Sequence, residues 1–258
     1  MNILIGNTGL IGTTLLKSLT FDYEYNSKNI CDYNVPDNCD LYLACLPATK
    51  WVVNKDPFSD LKNAQSIIDK IKNKEYNNVY LFSTIDVYSE SKLGSNENVN
   101  PTVSSLNYGS NRYLFELMVK QFLNYKNIKI FRLPALYSKD IKKNVLFDLL
   151  NNNNVESINS YSIFQWYNLD NLVFDINYFF KNYKNEEVVN LFPEGIDTKS
   201  IINDIFPEYK SKISEKYFVC YDYKTKFNPL GYLHSADESF NDIKHFVHEY
   251  RSKSTSVR

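Results

Sequence analysis

The apolar run Ile3-Leu4-Ile5 leads directly into Gly6-Asn7-Thr8-Gly9-Leu10-Ile11-Gly12, and a helix-like apolar stretch follows from Thr13 to Leu19. A short Ile/Leu run reads as a buried parallel strand, and the chain leaving it must turn sharply before a helix can pack back on the sheet. Glycines permit that turn. They also let the backbone approach a pyrophosphate, whose charge is favoured by the N–H groups and positive end of the helix that follows. The spacing Gly-x-x-Gly-x-x-Gly is one residue wider at its start than the Gly-x-Gly-x-x-Gly dinucleotide fingerprint. A glycine-rich turn without a ligand is the plainer alternative. The strand–turn–helix setting favours a phosphate cradle, with Gly6, Thr8, Gly9, Leu10, Ile11 and Gly12 facing the ligand.

Strand-like and helix-like segments alternate through the first half, the signature of a parallel sheet covered by helices. Strands are expected near 2–5, 22–25, 40–45, 78–83 and 128–132, and helices over 10–19, 58–73 and 108–124. Leu61, Ala64, Ile67, Ile68 and Ile71 share one face at helical spacing behind Pro57, which suits a helix start. Residues 88–107 read as a long loop over the carboxyl ends of the strands, where long ordered loops are usually functional. The second half has shorter elements, 144–150, 171–183 and 200–205, of the kind that form a small cap. Ser235 with Glu238 has capping-box spacing at the head of a terminal helix.

Lys plus Arg number 29 and Asp plus Glu 30, a formal charge of −1 that gives no bulk attraction to nucleic acid or to an acidic membrane surface. No stretch approaches the ~20 apolar residues of a membrane span, and the chain opens on a strand instead of a basic-then-apolar leader, so a cytoplasmic protein is expected. Cys31, Cys39, Cys45 and Cys220 lack paired short spacings, so neither a disulfide framework nor a zinc site is indicated. His245 and His248, three apart on the last helix, have no third ligand nearby, and no metal is expected.

Two later clusters carry the chemistry. Leu81-Phe82-Ser83-Thr84-Ile85-Asp86-Val87-Tyr88 ends a strand, and Asn107-Tyr108-Gly109-Ser110-Asn111-Arg112 opens a helix. Tyr108 and Arg112 are four apart and project from one helix face. A cation one turn from a phenol favours the phenolate, so Arg112 is expected to lower Tyr108 from about 10 toward neutrality and ready it to exchange a proton with a sugar hydroxyl or ketone. Thr84 at the strand end is placed to bond the same substrate oxygen.

With these motifs in order, the chain resembles the extended short-chain dehydrogenase/reductase superfamily, the NAD(P)-dependent epimerases, dehydratases and reductases of sugars. The resemblance rests on Gly6, Gly9 and Gly12, on Leu43-Ala44-Cys45-Leu46-Pro47-Ala48 as a fourth-strand signature, and on Asp60 and Asn63 in the following helix. It continues through Ser83-Thr84-Ile85-Asp86-Val87-Tyr88 as the active-site strand, Arg132-Leu133-Pro134-Ala135-Leu136-Tyr137, the Phe164–Leu172 segment and Leu230-Gly231-Tyr232. It implies a Rossmann-type doubly wound parallel α/β sheet over 1–140, a small C-terminal substrate cap over 141–251 with strands returning to the sheet, and a disordered tail over 252–258. It further implies Tyr108 as acid/base, Thr84 holding the reacting oxygen, and Arg112 in place of the usual lysine beside the nicotinamide ribose. That exchange is not conservative, since guanidinium is longer and flatter than ammonium.

The cofactor contacts implied are the glycine turn, Cys45, Leu46 and Pro47, Leu133 and Pro134, and the end of the second strand. There Asn26, Ser27 and Lys28, with no carboxylate after Glu24, favour NADP(H) over NAD(H), although an ordinary solvated turn explains the lysine nearly as well. Asp86, Tyr88, Asn144, Gln165 and Trp166 are the implied substrate contacts, the substrate being a sugar or nucleotide-sugar of polysaccharide synthesis. Ile85 breaks the acidic pair expected of dehydratases, which favours keto-sugar reduction or epimerisation. A catalytically weak dinucleotide-binding protein, serving as redox sensor or assembly partner, is the alternative that Arg112 keeps open. A homodimer through the 58–73 and 108–124 helices is the expected assembly.

Overall fold

The computed structural model describes residues 1–210 and 217–255. In chain order the elements are β1 (Asn2–Ile5), α1 (Leu10–Leu16), β2 (Tyr23–Tyr25), β3 (Cys39–Leu43), α2 (Lys50–Lys55), α3 (Pro57–Ile71), β4 (Glu75–Thr84), α4 (Tyr108–Phe122), β5 (Asn124–Leu133) and β6 (Ala135–Tyr137). Then follow α5 (Val145–Asn151), β7 (Ile163–Asn168), α6 (Leu172–Asn182), β8 (Val188–Asn190), β9 (Gly195–Asp197), α7 (Thr198–Ile205) and α8 (Ala236–Thr255). They fall into two compact units. The first holds residues 1–89, 99–133 and 170–190, and the second 90–98, 134–169 and 191–255.

The first unit is a six-stranded sheet in the order β2-β1-β3-β4-β5-β8, parallel throughout. Parallel strands joined by crossovers are covered on both faces, so their residues are apolar on both sides. One face carries Ile3, Ile5, Leu41, Leu43, Val79, Leu81, Ile128 and Ile130 against Ala64, Ile67, Ile68 and Ile71 of α3 and Phe115 and Val119 of α4. On the other, Tyr42 and Tyr80 stack at 4.3 Å and Phe180 of α6 leans on Tyr80. Asp56 caps α3 by accepting from Ser59 N at 3.0 Å ahead of Pro57 at the first helical position. The sheet order reverses beside β1, the topological switch point at which open α/β sheets place their ligands.

The second unit has a small sheet, β6 parallel to β7 and β7 antiparallel to β9, packed with α5, α7 and α8 around Leu146, Leu149, Trp166, Ile201, Ile202, Phe206, Ile243 and Val247. The Ser235 and Glu238 capping box is formed: Glu238 N donates to Ser235 Oγ at 3.2 Å and Ser235 N to Glu238 Oε2 at 2.8 Å. α8 runs on to Thr255, into the segment 252–258 expected as a disordered tail, while 256–258 lie outside the described residues. Its last turns are anchored by Arg251, which donates to Glu208 and Ile205 O and lies over the Phe206 ring at 4.7 Å. Sequence periodicity also missed α2 and β6 to β9. They are too short for a helical or alternating pattern to register.

Candidate active site

Gly6 has φ +103°, a left-handed value that suits glycine, and a Cβ there would lie 2.1 Å from Ala44 O. A Cβ on Gly12 would lie 2.1 Å from Gly6 O, so the turn packs its own backbone at these two positions. Gly9 differs. Its backbone is ordinary extended (φ −78°, ψ 166°), a Cβ would meet nothing nearer than Gly6 O at 3.5 Å, and no side chain caps the helix it opens. The protein's own packing does not require glycine there. A backbone left open beside an uncapped helix start fits a phosphate-bearing group.

The turn is tied to the end of β2. Gly6 N donates to Tyr25 O at 2.7 Å, Asn26 Nδ2 to Asn7 Oδ1 at 3.1 Å, and Asn7 Nδ2 to Glu24 Oε2 at 2.9 Å. Asn26 also accepts from Lys28 N, while Ser27 and Lys28 are exposed. Sequence reasoning passed over Glu24 as lying before the strand end. The fold sets its carboxylate against the glycine turn.

Leu43-Ala44-Cys45-Leu46-Pro47-Ala48 follows the third strand of this chain, not a fourth. Pro47 contributes its carbonyl, which accepts from Arg112 Nη2 at 2.5 Å. Cys45 and Leu46 are half-buried, and Leu133 closes β5 in the interior with Pro134 next to it.

Tyr108, Thr84, Arg112 and Asp86 come together at the carboxyl end of β4. Asn107 caps α4, its Oδ1 accepting from Ser110 N at 2.9 Å, and Tyr108 N donates to Asn54 Oδ1 at 2.8 Å. A Cβ on Gly109 would strike Asp86 O at 1.8 Å, so only glycine lets the start of α4 approach the turn after β4. Asp86 N donates to Thr84 Oγ1 at 3.2 Å, and Lys50 Nζ donates to Asp86 Oδ1 at 2.7 Å. The Arg112 guanidinium lies over the Tyr108 ring at 4.5 Å from its centroid.

The expected lowering of Tyr108 is not what the site does. Burial raises the phenol above its ordinary value, and the opposing pull of Arg112, with hydrogen bonds from Arg112 and Thr84, does not overcome it; Asp86 adds to the rise. Arg112 is itself engaged. Its Nη1 and Nη2 donate to Asp60 at 2.7 and 3.2 Å, the two side chains being 6% and 5% exposed. Asp60 also accepts from Asn111 Nδ2 at 2.9 Å. Its part as counter-ion to Arg112 is not readable from sequence, because the partners are 52 residues apart.

Three expected substrate contacts are turned inward. Tyr88 is buried, and its hydroxyl accepts from Arg132 Nη1 at 2.7 Å and Asn190 Nδ2 at 3.2 Å. Gln165 donates its amide hydrogens to Pro193 O and Tyr223 O, which ties β7 to two loop segments of the second unit. Trp166 is 1% exposed and fills that unit's core. Asn144 acts as a helix cap, accepting from Phe147 N at 3.0 Å and donating to Leu136 O at 2.8 Å.

No protein-family model matches the sequence, and no curated protein matches it. Solved structures do resemble the fold. The UDP-N-acetylglucosamine 4-epimerase of Bacillus cereus is 17% identical with a TM-score of 0.64, the match covering 97% of this chain and 99% of that one. The dTDP-4-dehydrorhamnose reductase of Yersinia enterocolitica is 15% identical with a TM-score of 0.68, covering 96% and 99%. The UDP-glucose 4-epimerase of Thermus thermophilus, solved in complex with NAD, is 13% identical with a TM-score of 0.66, covering 97% and 99%. This chain therefore has the Rossmann-type α/β fold that these sugar-nucleotide epimerases and reductases share.

Proposed function

We propose that the protein is an oxidoreductase or epimerase of the extended short-chain dehydrogenase type, binding a nicotinamide dinucleotide at the β1–α1 turn and acting on a sugar or nucleotide-linked sugar. The observation that carries this is the convergence of Thr84 and Arg112 on Tyr108 in the same unit as a glycine turn with an open face at Gly9. The backbone of Gly9, Leu10 and Ile11 would hold the phosphates, and the bound nicotinamide supplies or accepts hydride. Thr84 fixes the reacting oxygen by hydrogen bonding, and Tyr108 exchanges its proton with that oxygen.

The position of Glu24 supports reading NAD(H) as the cofactor, where Asn26, Ser27 and Lys28 taken alone favour NADP(H). A carboxylate bonded to the turn repels a 2′-phosphate and can accept from ribose hydroxyls. Phe58, Leu117 and Phe122, exposed on α3 and α4, support a homodimer formed through those helices. A cytoplasmic location is consistent with the lack, among the described residues, of a helix long and apolar enough to cross a membrane.

A binding protein with little turnover is the second reading, favoured by the commitment of Arg112 to Asp60 and Pro47. Titration with NADH and NADPH, followed by nicotinamide fluorescence, tests the common part. Tighter binding of NADH is expected, and failure of both to bind would sink both readings. Turnover of keto-sugar nucleotides that is abolished in Tyr108→Phe separates the enzyme from the binding protein.

A further inference from the structure

Sequence similarity offers Arg112 as a stand-in for a lone lysine, but the fold builds a different device. The Asp60 carboxylate grips the guanidinium from α3 with two hydrogen bonds, and Asn111 Nδ2 donates to the same Oδ2 that accepts from Arg112 Nη1. Pro47 O takes a further hydrogen. The cation is thereby held over the Tyr108 ring, 4.5 Å from its centroid, and is paired with a buried anion.

We propose that Asp60 is a positioning residue that offsets much of the charge Arg112 presents to Tyr108, so that Tyr108 works as a proton donor to a substrate oxygen rather than as a base. As a nicotinamide hydride would add to the carbonyl carbon and the C=O π pair move to oxygen, that oxygen would take the proton from Tyr108 Oη, and solvent would then return a proton to the phenolate. A site of this kind favours the reduction of a ketone, in which that oxygen must receive a proton. It favours less the first step of an epimerisation, in which a hydroxyl must lose one. The substrate is then a keto-sugar, the product of a prior oxidation or dehydration.

Arg112 lies on the same helix as Tyr108, Asp86 on the turn after β4, Lys50 of α2 on Asp86, and Asp60 of α3 behind Arg112. A change at Asp60 therefore reaches the phenol through one cation.

The inference rests on Tyr108 being the acid/base, but its test needs neither cofactor nor turnover. The full-length protein is labelled with 13C at tyrosine Cζ, and the resonance missing in Tyr108→Phe is followed with pH. In the wild type it should hold its phenol position up to about pH 10 or beyond. In Asp60→Asn the released cation should pull the titration down by about one pH unit or more. In the double variant Asp60→Asn/Arg112→Gln it should return to within about one unit of wild type, since an offset pair leaves only a small part of the Arg112 charge to be lost. Should the single variant not fold, the double decides: titration near wild type supports the offset, and a large upward shift shows that Arg112 was acting unopposed and overturns it. A wild-type phenol that titrates near neutrality overturns it as well. So does a folded Asp60→Asn with an unmoved phenol. Failure of Tyr108→Phe to affect turnover would remove the functional reading while leaving these titrations interpretable.

Discussion

Two arginines in the first unit are built alike and do different things. Arg112 and Arg132 each fork a buried carboxylate, Asp60 and Glu116, and each lies over a tyrosine, Tyr108 at 4.5 Å and Tyr88 at 5.1 Å. Arg132 is wholly internal. Its Nε and Nη2 donate to Glu116 at 3.1 and 2.6 Å, its Nη1 to Tyr88, and Ser83 Oγ donates to the same Glu116 carboxylate at 2.5 Å. That cluster ties β4, β5, α4 and β8 together one residue from Thr84. The Arg112 cluster differs in one respect: its tyrosine also bonds Thr84, which is only half-buried at the strand end. The same pairing of guanidinium, carboxylate and phenol is thus a clamp where it is sealed on all sides, and a site where the phenol reaches the carboxyl edge of the sheet.

The largest effect expected is on the sealed cluster. Glu116→Gln leaves Arg132 buried without its counter-charge and should cost about 3–5 kcal/mol in urea unfolding, whereas Glu116→Leu with Arg132→Met should recover most of it. Recovery of nothing would mean that the network specifies the fold and does more than compensate its own charges. Next, Tyr108→Phe should lower turnover about 10³-fold with nicotinamide affinity nearly unchanged, while Tyr88→Phe should leave turnover within a few-fold and reduce stability by about 1 kcal/mol. Equal losses of turnover at the two tyrosines would erase the distinction drawn between the clusters. At the glycine turn, Gly9→Ala should bind the cofactor about tenfold more weakly with stability unchanged or slightly raised, because its Cβ has room in the protein alone.

The smallest effect concerns alkaline pH. Burial raises Tyr33, Tyr42, Tyr76, Tyr80 and Tyr108, Tyr42 to about 12 with Asp40 adding to the shift. A phenol whose folded value lies above its unfolded one binds more protons in the native state as pH passes the unfolded value. Stability from these tyrosines is therefore complete below about pH 10 and falls above it. Thermal unfolding between pH 8 and 11 should show a melting temperature that holds and then drops. A Tyr108→Phe protein should drop slightly less.

Much of the first unit was legible because its signals are local. A strand, a glycine turn and a helix are written within Asn2 to Leu16, and the i, i+4 spacing of Tyr108 and Arg112 places them on one face before any fold is known. Pro57 before the apolar face of α3 is likewise a short-range mark of a helix start. The second unit was harder to read. Its strands have three to six residues, and Gln165 and Trp166 look the same in sequence whether they face a ligand or a core.

The sequence by itself determined the parallel α/β architecture, the turn at Gly6 to Gly12 and the placing of Tyr108 and Arg112 on one helix face, since each depends on local periodicity or spacing. Only the tertiary structure decided the counter-ion of Arg112, the direction in which Tyr108 is shifted, the inward turn of Tyr88 and the place of Glu24 beside Asn7. The physical reason is common to all four. Charge compensation and desolvation depend on which residues distant in sequence share a low-dielectric interior, and no local pattern records that.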